Sequence, residues 1–366
     1  MRNLKVIISG GGTGGHIFPA IAIANAIESQ VKAVEFLFVG AEDRMEMEKV
    51  PAAGYKILGL WISGLQRKLD FRNFTFPFKV INSIWKSKKI IKQFNPDLVI
   101  GTGGYASAPV IYVAAKRGIP SLIQEQNSYP GITNKILAKY VEKICVAYDE
   151  MERFFPSEKL ILTGNPIRKD ILGFDIQHKK AYKYFEINQN KQTVLVVGGS
   201  LGALTINKAI AENIHVIERI GINLIWQTGA SFYHQAKKYV ADIDVKGVNA
   251  YAFIKDMDLA YAAADIIISR AGAIAISELC CVGKPLILVP SPNVSENHQF
   301  KNAQSLVNKN AAILVEDANA NRKLVDTLED LIKNKDLKTS LSSNIKKIAV
   351  IDAAERIAKI ALDLVK

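Results

Sequence analysis

Cysteine is scarce in this chain: Cys145, Cys280 and Cys281 are the only three. An odd number with one adjacent pair makes no disulfide framework, and no CxxC spacing offers a zinc site. A reducing cytoplasm is the compartment that fits such usage. Long apolar runs are missing too. No stretch approaches the ~18 apolar residues of a membrane-spanning helix. The first apolar run, Val6 to Ile8, stops at glycine and is too short for a signal-peptide core. The protein is therefore expected to be soluble or peripheral. Acidic residues number 35 against 47 basic ones, a formal net charge of +12. That excess suits an anionic partner, whether nucleic acid, a phosphorylated substrate or an acidic lipid surface. With 49% hydrophobic and 22% charged residues, a disordered, collagen-like or rod-like chain is excluded. At roughly 150 residues per domain, the 366 residues make about two domains.

Short β-rich runs alternate with longer helical patterns. In the first half the expected strands are 4–9, 35–39, 56–60, 98–101, 121–124, 143–146 and 159–163. Several are almost wholly apolar, as parallel strands buried on both faces must be. The pattern stops at Gly164-Asn165-Pro166, and a polar stretch from Asp175 to Gln192 follows. It restarts with strands expected at 193–197, 223–227, 248–253, 265–269, 285–289 and 312–315. The fold expected is α/β, with two doubly wound parallel sheets. The domains are expected at 1–165 and 166–351. Residues 352–366 carry Ala354, Ile357, Ala361 and Leu364 at helical spacing, with Asp352 as N-cap, and are assigned to the first domain.

Each domain holds a glycine-rich strand-to-helix loop. The first has glycine at every position from Gly10 to Gly15 except Thr13, followed by His16 and a helix expected over 17–27, with Pro19 in its first turn. Glycine lets backbone approach a ligand, and the helix start attracts anions. The string also contains the dinucleotide fingerprint G-x-G-x-x-G, although Glu42 and Asp43 come late for its ribose partner. The second loop, Gly198-Gly199-Ser200-Leu201-Gly202-Ala203, doubles as the G-x-S-x-G elbow of α/β-hydrolases, with Asp265 and His298 in triad order. Read as a phosphate loop, it uses Ser200 and backbone N–H groups to hold a diphosphate. A third strand-to-helix passage runs from Ser269 to Glu278, and the Glu278 carboxylate suits vicinal ribose hydroxyls. The polar run Gln124-Glu125-Gln126-Asn127 follows an apolar strand and reads as the lip of a site.

Together these strings resemble the MurG family of bacterial N-acetylglucosaminyltransferases, glycosyltransferase family 28. The resemblance is carried by GGTGGHIFPA at 11–20, GTGGYASAP at 101–109, QEQNSYPGITNK at 124–135, GNPIR at 164–168, GGSLGA at 198–203, FIKDM at 253–257 and SRAGAIAISE at 269–278. It implies a GT-B fold, two Rossmann-like domains facing across a cleft. It also implies inverting transfer of GlcNAc from UDP-GlcNAc to the C4 hydroxyl of lipid-linked MurNAc-pentapeptide in peptidoglycan synthesis. By position, the resemblance puts Thr13, Gly14, Gly15, Asn127, Arg168, Ser200, Ile254, Ala273, Ile274, Ala275, Ile276, Ser277, Glu278 and Gln299 on the donor. Ile254 is to receive the uracil edge through its backbone, Glu278 the ribose and Gln299 the GlcNAc hydroxyls. Gly103, Gly104 and Tyr105 resemble the acceptor-side loop. Family members often have two glutamines where this chain has His298-Gln299, leaving both open as readers of the sugar.

Inverting transfer needs a base for the acceptor hydroxyl and charge stabilisation for departing UDP. His16 is the candidate base, with Glu125 in reserve. Helix N-termini and Arg168 are expected to meet the diphosphate, so no metal or other cofactor is expected. Two D-x-D strings are read otherwise: Asp256-Met257-Asp258 as a helix cap, and Asp242-Ile243-Asp244 as a solvated loop.

The stretch from Trp61 to Gln93 differs from the rest. Between Arg67 and Lys92 it carries eight basic residues against one acid, Asp70, interleaved with aromatics. Phe74, Phe78, Trp85, Lys86, Lys88 and Lys89 are expected to meet an anionic membrane on its cytoplasmic face. No nucleic-acid motif accompanies the charge. Three other functions compete: a diacylglycerol glycosyltransferase of the same fold, a hydrolase using Ser200, and a nicotinamide-dependent oxidoreductase.

Overall fold

The computed structural model describes residues 3–64, 75–167, 171, 178–199, 201–243 and 246–366. The chain forms two compact units, residues 1–167 with 352–366, and residues 168–351. In the first unit, chain order is β1 (Leu4–Gly10), α1 (Gly14–Gln30), β2 (Val34–Ala41), α2 (Glu46–Ala52), β3 (Ile57–Leu60), α3 (Phe76–Phe94), β4 (Leu98–Gly103), α4 (Ser107–Lys116), β5 (Ser121–Glu125), α5 (Ile132–Leu137), β6 (Lys143–Val146) and β7 (Leu160–Leu162). The strands lie in the order β3-β2-β1-β4-β5-β6-β7, every neighbouring pair parallel. The chain winds outward from β1 to β3, then crosses to β4 on the other side of β1. That reversal opens a crevice at the carboxyl ends of β1 and β4.

The second unit repeats the scheme with α6 (His178–Tyr184), β8 (Thr193–Val197), α7 (Leu204–Glu212), α8 (Ile214–Ile220), β9 (Asn223–Gln227), α9 (Ala230–Ala241), β10 (Val248–Tyr251), α10 (Met257–Ala263), β11 (Ile266–Ser269), α11 (Ala273–Val282), β12 (Leu286–Leu288), α12 (His298–Val307), β13 (Ile313–Leu314), α13 (Ala320–Lys333) and α14 (Lys335–Lys346). Its sheet order is β10-β9-β8-β11-β12-β13, again parallel throughout. The reversal falls between β8 and β11. Each glycine loop therefore begins at its own sheet's switch point, where ligands enter open α/β sheets.

The uniform apolarity of the central strands comes from helices on both faces. Val6, Ile7 and Ile8 are all fully buried. Ile7 meets Ile90, Ile91 and Val110 on the side of α3 and α4. Val6 and Ile8 meet Ile17, Ile23 and Ile27 of α1. The last helix, α15 (Ala353–Asp363), adds Ile357, Ala358 and Ala361 to that second layer. In the second unit Leu195 faces Ala260 and Leu279, while Val194 and Val196 face Ile206, Ile210 and Leu324. Trp226 is wholly buried there, and its indole N–H donates to Asn207 Oδ1 at 3.0 Å.

All thirteen expected strands are present, and their ends differ in ways that matter. β4 runs to Gly103 and β5 to Glu125, so polar residues close both strands. α1 begins at Gly14, inside the glycine run, which puts His16 in its first turn and Pro19 past it. Two expected caps do not cap. Asp352 precedes α15 without a side-chain cap bond, and its carboxylate pairs instead with Arg356 Nε at 2.9 Å. Asp256 precedes α10 in the same way, its carboxylate accepting the Tyr184 hydroxyl at 2.8 Å.

Candidate active site

In the first unit the crevice is built around the Gly11–Gly12 peptide. Glu46, fully buried on α2, accepts the Gly12 N–H at 3.1 and 3.0 Å. It also accepts the Ala41 N–H at 3.0 Å. The Gly12 N–H, in a loop expected to approach a ligand, is thus already held by a carboxylate of this chain. On the other side of the peptide, the Gly11 carbonyl lies 2.9 Å from His16 Nδ1. A carbonyl accepts only, so Nδ1 carries the hydrogen and the lone pair is at Nε2. The Thr13 hydroxyl lies 3.3 Å from the same nitrogen. β4 ends against this ring: Gly103 has φ +94°, and a Cβ there would come within 2.9 Å of His16 Cδ2. Gly104, at φ +84°, lies so close that a Cβ would strike the Gly11 carbonyl oxygen. Tyr105 is exposed beside them.

The run from Gln124 to Asn127 is mostly internal rather than a lip. Gln124, Glu125 and Gln126 are buried. Gln124 Nε2 donates to Asn165 Oδ1 at 2.9 Å, and Gln126 Nε2 to the Thr102 carbonyl at 2.7 Å. Glu125 takes four N–H donors, two on each oxygen. Asn127 gives its backbone and side-chain N–H at 3.0 and 3.1 Å. Gly131 N and Asn134 Nδ2 give theirs at 3.1 and 2.9 Å. Burial pushes the Glu125 pKa up, and these donors pull against it. Its carboxylate is occupied in shaping the Asn127 loop.

In the second unit Gly202, in the loop after β8, packs closely against the residue that follows β9. Gly202 has φ +81°, and a Cβ there would strike the Thr228 carbonyl. Gln227 ties this loop to the next one. Its Nε2 donates to the Gly199 carbonyl at 3.1 Å, and its Oε1 accepts the Ile254 N–H at 2.9 Å. Ile254 is buried, with its backbone N–H held by Gln227. α11 starts at Ala273 with Gly272 in the N-cap position. The first N–H groups of a helix lack partners within it. The Ser277 hydroxyl donates back to the Ala273 carbonyl at 3.1 Å. Glu278 is buried one turn further on. Arg270 anchors the start of this passage. It donates to the Val289 carbonyl at 3.0 Å and pairs with Asp317, whose second oxygen accepts the Thr205 hydroxyl at 3.0 Å. Gln299 Oε1 accepts the Ser291 and Ala271 N–H groups at 2.9 and 3.3 Å. With the oxygen so fixed, the Gln299 amide presents its NH2 group as a donor.

Comparison with known proteins agrees with this architecture on both halves. The glycosyltransferase family 28 N-terminal domain matches residues 6–146, and the family's C-terminal domain matches residues 193–357. The chain belongs to glycosyltransferase family 28. A relative from Cytophaga hutchinsonii is 53% identical over 99% of this chain and 97% of its own length. One from Christiangramia forsetii is 51% identical over 97% and 96%. Both carry the name UDP-N-acetylglucosamine--N-acetylmuramyl-(pentapeptide) pyrophosphoryl-undecaprenol N-acetylglucosamine transferase. The crystal structure of Acinetobacter baumannii MurG superposes with a TM-score of 0.80 at 26% identity, covering 98% of this chain and 99% of that one. The two parallel-sheet units are those of the GT-B fold.

Within this family member, Arg168, Ser200, Phe74 and Asp244 lie outside the described residues. Glu46, Gln227, Arg270 and Asp317 were not expected at the sites. Glu46 meets Gly12 34 residues away, Gln227 meets Ile254 27 away, Arg270 meets Asp317 47 away and Asp317 meets Thr205 112 away, contacts that no local spacing marks. From Phe76 onward the basic-aromatic stretch forms α3, whose buried positions are Ser83, Ser87, Ile90 and Ile91; its residues 65–74 lie outside the described ones. Phe78, Ile81 and Trp85 are 69, 66 and 72% exposed and share the opposite face at helical spacing. Lys86 is not a free cation there, since its Nζ lies 2.8 Å from Glu42 Oε1. Among the described residues, no helix is long and apolar enough to cross a membrane.

Proposed function

We propose that this chain transfers GlcNAc from UDP-GlcNAc to the C4 hydroxyl of undecaprenyl-diphosphate-linked MurNAc-pentapeptide, the lipid I to lipid II step of peptidoglycan synthesis. One observation carries the reading. Relatives bearing that activity in their names match at about half identity along the whole chain, through both family domains. The reaction is an inverting displacement. The acceptor oxygen attacks the anomeric carbon of GlcNAc and forms the new C–O bond. The bond from that carbon to the β-phosphate oxygen breaks, and UDP departs with the electron pair. The acceptor proton passes to His16 Nε2, then to solvent.

The geometry supports distinct duties for the residues. The Ile254 carbonyl accepts the uracil N3–H, Glu278 takes the ribose hydroxyls, and the first turn of α11 from Ala273 to Ile276 faces the diphosphate. Arg168 adds a positive charge and Ser200 a hydroxyl donor to the same group. Gln299 donates from its fixed amide to the GlcNAc hydroxyls; Asn127, Thr13, Gly14 and Gly15 are assigned to the donor by the family resemblance. Gly103, Gly104 and Tyr105 border the acceptor. Charge on departing UDP is met by amide dipoles and Arg168, so no resident metal is invoked. Phe78 and Trp85, flanked by Lys88 and Lys89, hold the enzyme on the cytoplasmic face of an anionic membrane. The test is product analysis with labelled UDP-GlcNAc and lipid-linked MurNAc-pentapeptide. A β-linked disaccharide lipid, formed equally fast in excess EDTA, is the expected outcome. Transfer to diacylglycerol instead, or no transfer, would overturn it.

A further inference from the structure

We propose that Glu46 is a positioning residue for the base, acting on His16 through the Gly11–Gly12 peptide. The inference rests on the reading of His16 as the base. One peptide unit is held at both ends. Its N–H is donated to the Glu46 carboxylate, and its carbonyl accepts from His16 Nδ1. A negative charge on the N–H side polarises an amide and makes its oxygen a better acceptor. The Nδ1–H bond is strengthened, the ring is fixed in one tautomer, and Nε2 becomes more basic. An aspartate bonded directly to a histidine has the same effect; here a peptide is interposed.

The surroundings are shaped for this contact. A Cβ on Gly11 would fall on the Glu46 carboxylate, and one on Gly40 would come within 2.6 Å of Glu46 Cγ. Glu46 is fully buried, and among the described residues no ion pair includes it. A buried carboxylate answered by backbone N–H groups alone exports its charge to whatever those peptides touch. The positive end of α1 works the other way, since His16 stands in its first turn and a helix start disfavours imidazolium. Glu46 offsets that effect. Other titratable groups on neighbouring elements have their own places. Glu125 is held by four N–H donors, and Tyr105 stands over Gly64. Glu355 of α15 lies beside Gln30, at the far end of α1. Glu28 lies near that end too, bonded to Tyr55.

The experiment is an NMR titration of the ring nitrogens of His16 in the full chain, run alongside pH–rate profiles. In the parent protein His16 is expected as the Nδ1–H tautomer. In Glu46→Gln its pKa is expected to fall by about one unit, carrying the acidic limb of kcat to lower pH. The kcat plateau is expected to drop about tenfold, while KM for UDP-GlcNAc stays within about twofold. His16→Ala with Glu46→Gln is expected to be no slower than His16→Ala alone, because the two act in series. An Nε2–H tautomer in the parent overturns the proposal even if Glu46→Gln fails to fold. An unmoved titration in a folded Glu46→Gln overturns it as well. Unchanged turnover in His16→Ala is a separate failure, that of the base reading, because the tautomer and the titration are read without catalysis.

Discussion

His16 and Gly103 constrain each other. The imidazole edge lies where a side chain at 103 would begin, with Cδ2 at 2.9 Å and Nε2 at 3.1 Å from a Cβ there. The backbone at Gly103 also has φ +94°, a conformation that costs an alanine about 1 kcal/mol or more. Gly103→Ala is therefore expected to cost stability and displace the ring proposed to take the proton. A misplacement near 1 Å can cost up to about a hundredfold in rate. Turnover is expected to fall at least tenfold, to the order of that limit, with little change in KM for UDP-GlcNAc. Parental turnover from a variant with a lowered melting temperature would show that the ring edge has no part in the chemistry. The place of His16 in the crevice was legible in the sequence because it stands beside its own glycine run. Glu46 was not, since nothing local distinguishes it from Glu48, which is exposed and paired with Lys49. Only the fold brings α2 under the loop. Arg270 stood in a recognised string without a duty, because Asp317 and Val289 meet it only through sheet order.

At the scale of elements, α3 divides into a buried face and a wet one. Ser83, Ser87, Ile90 and Ile91 seat it on the sheet, leaving Phe78, Ile81 and Trp85 outside at a cost in exposed apolar area that only a partner recovers. Lys79 leans over the Trp61 ring at 5.5 Å, and Lys86 is paired with Glu42. Lys88 and Lys89 are exposed and are the pair to test. At about 1 kcal/mol for each basic residue near an anionic surface, Lys88→Gln with Lys89→Gln is expected to weaken vesicle binding about 30-fold, leaving the melting temperature unchanged. Salt should erase the difference; binding equal to the parent at low salt would remove this helix from the membrane contact. Strand positions were readable because doubly covered strands are apolar throughout. The ends of α1 and β4 were not, because glycine carries no side-chain pattern to mark where a helix starts. The two aspartate caps failed for a different reason: Arg356 and Tyr184 compete for the same carboxylates, and one of them comes from a distant segment.

For the whole molecule, the first unit is assembled from both ends of the sequence, and the second is the long insertion between them. The last helix completes the layer under β1: Ile357 is fully buried among Val6, Ile8 and the α1 face. Replacing it by alanine removes packed methylene groups and leaves a cavity, which costs about 2–5 kcal/mol. That loss belongs to the first unit alone. Tryptophan fluorescence can separate the two, because Trp226 is buried in the second unit, whereas Trp61 and Trp85 are exposed in the first. Quenching and the emission shift of Trp226 thus follow melting of the 168–351 unit. In Ile357→Ala, circular dichroism is expected to show an early transition several degrees below the parent's, while the Trp226 shift keeps its parental midpoint. If both signals move together, the halves unfold as one cooperative body, and the unit boundary at 167 and 352 has no thermodynamic meaning. If only the early transition moves, the C-terminal residues belong energetically to the fold that begins at residue 4, even though the second core lies between them in the chain.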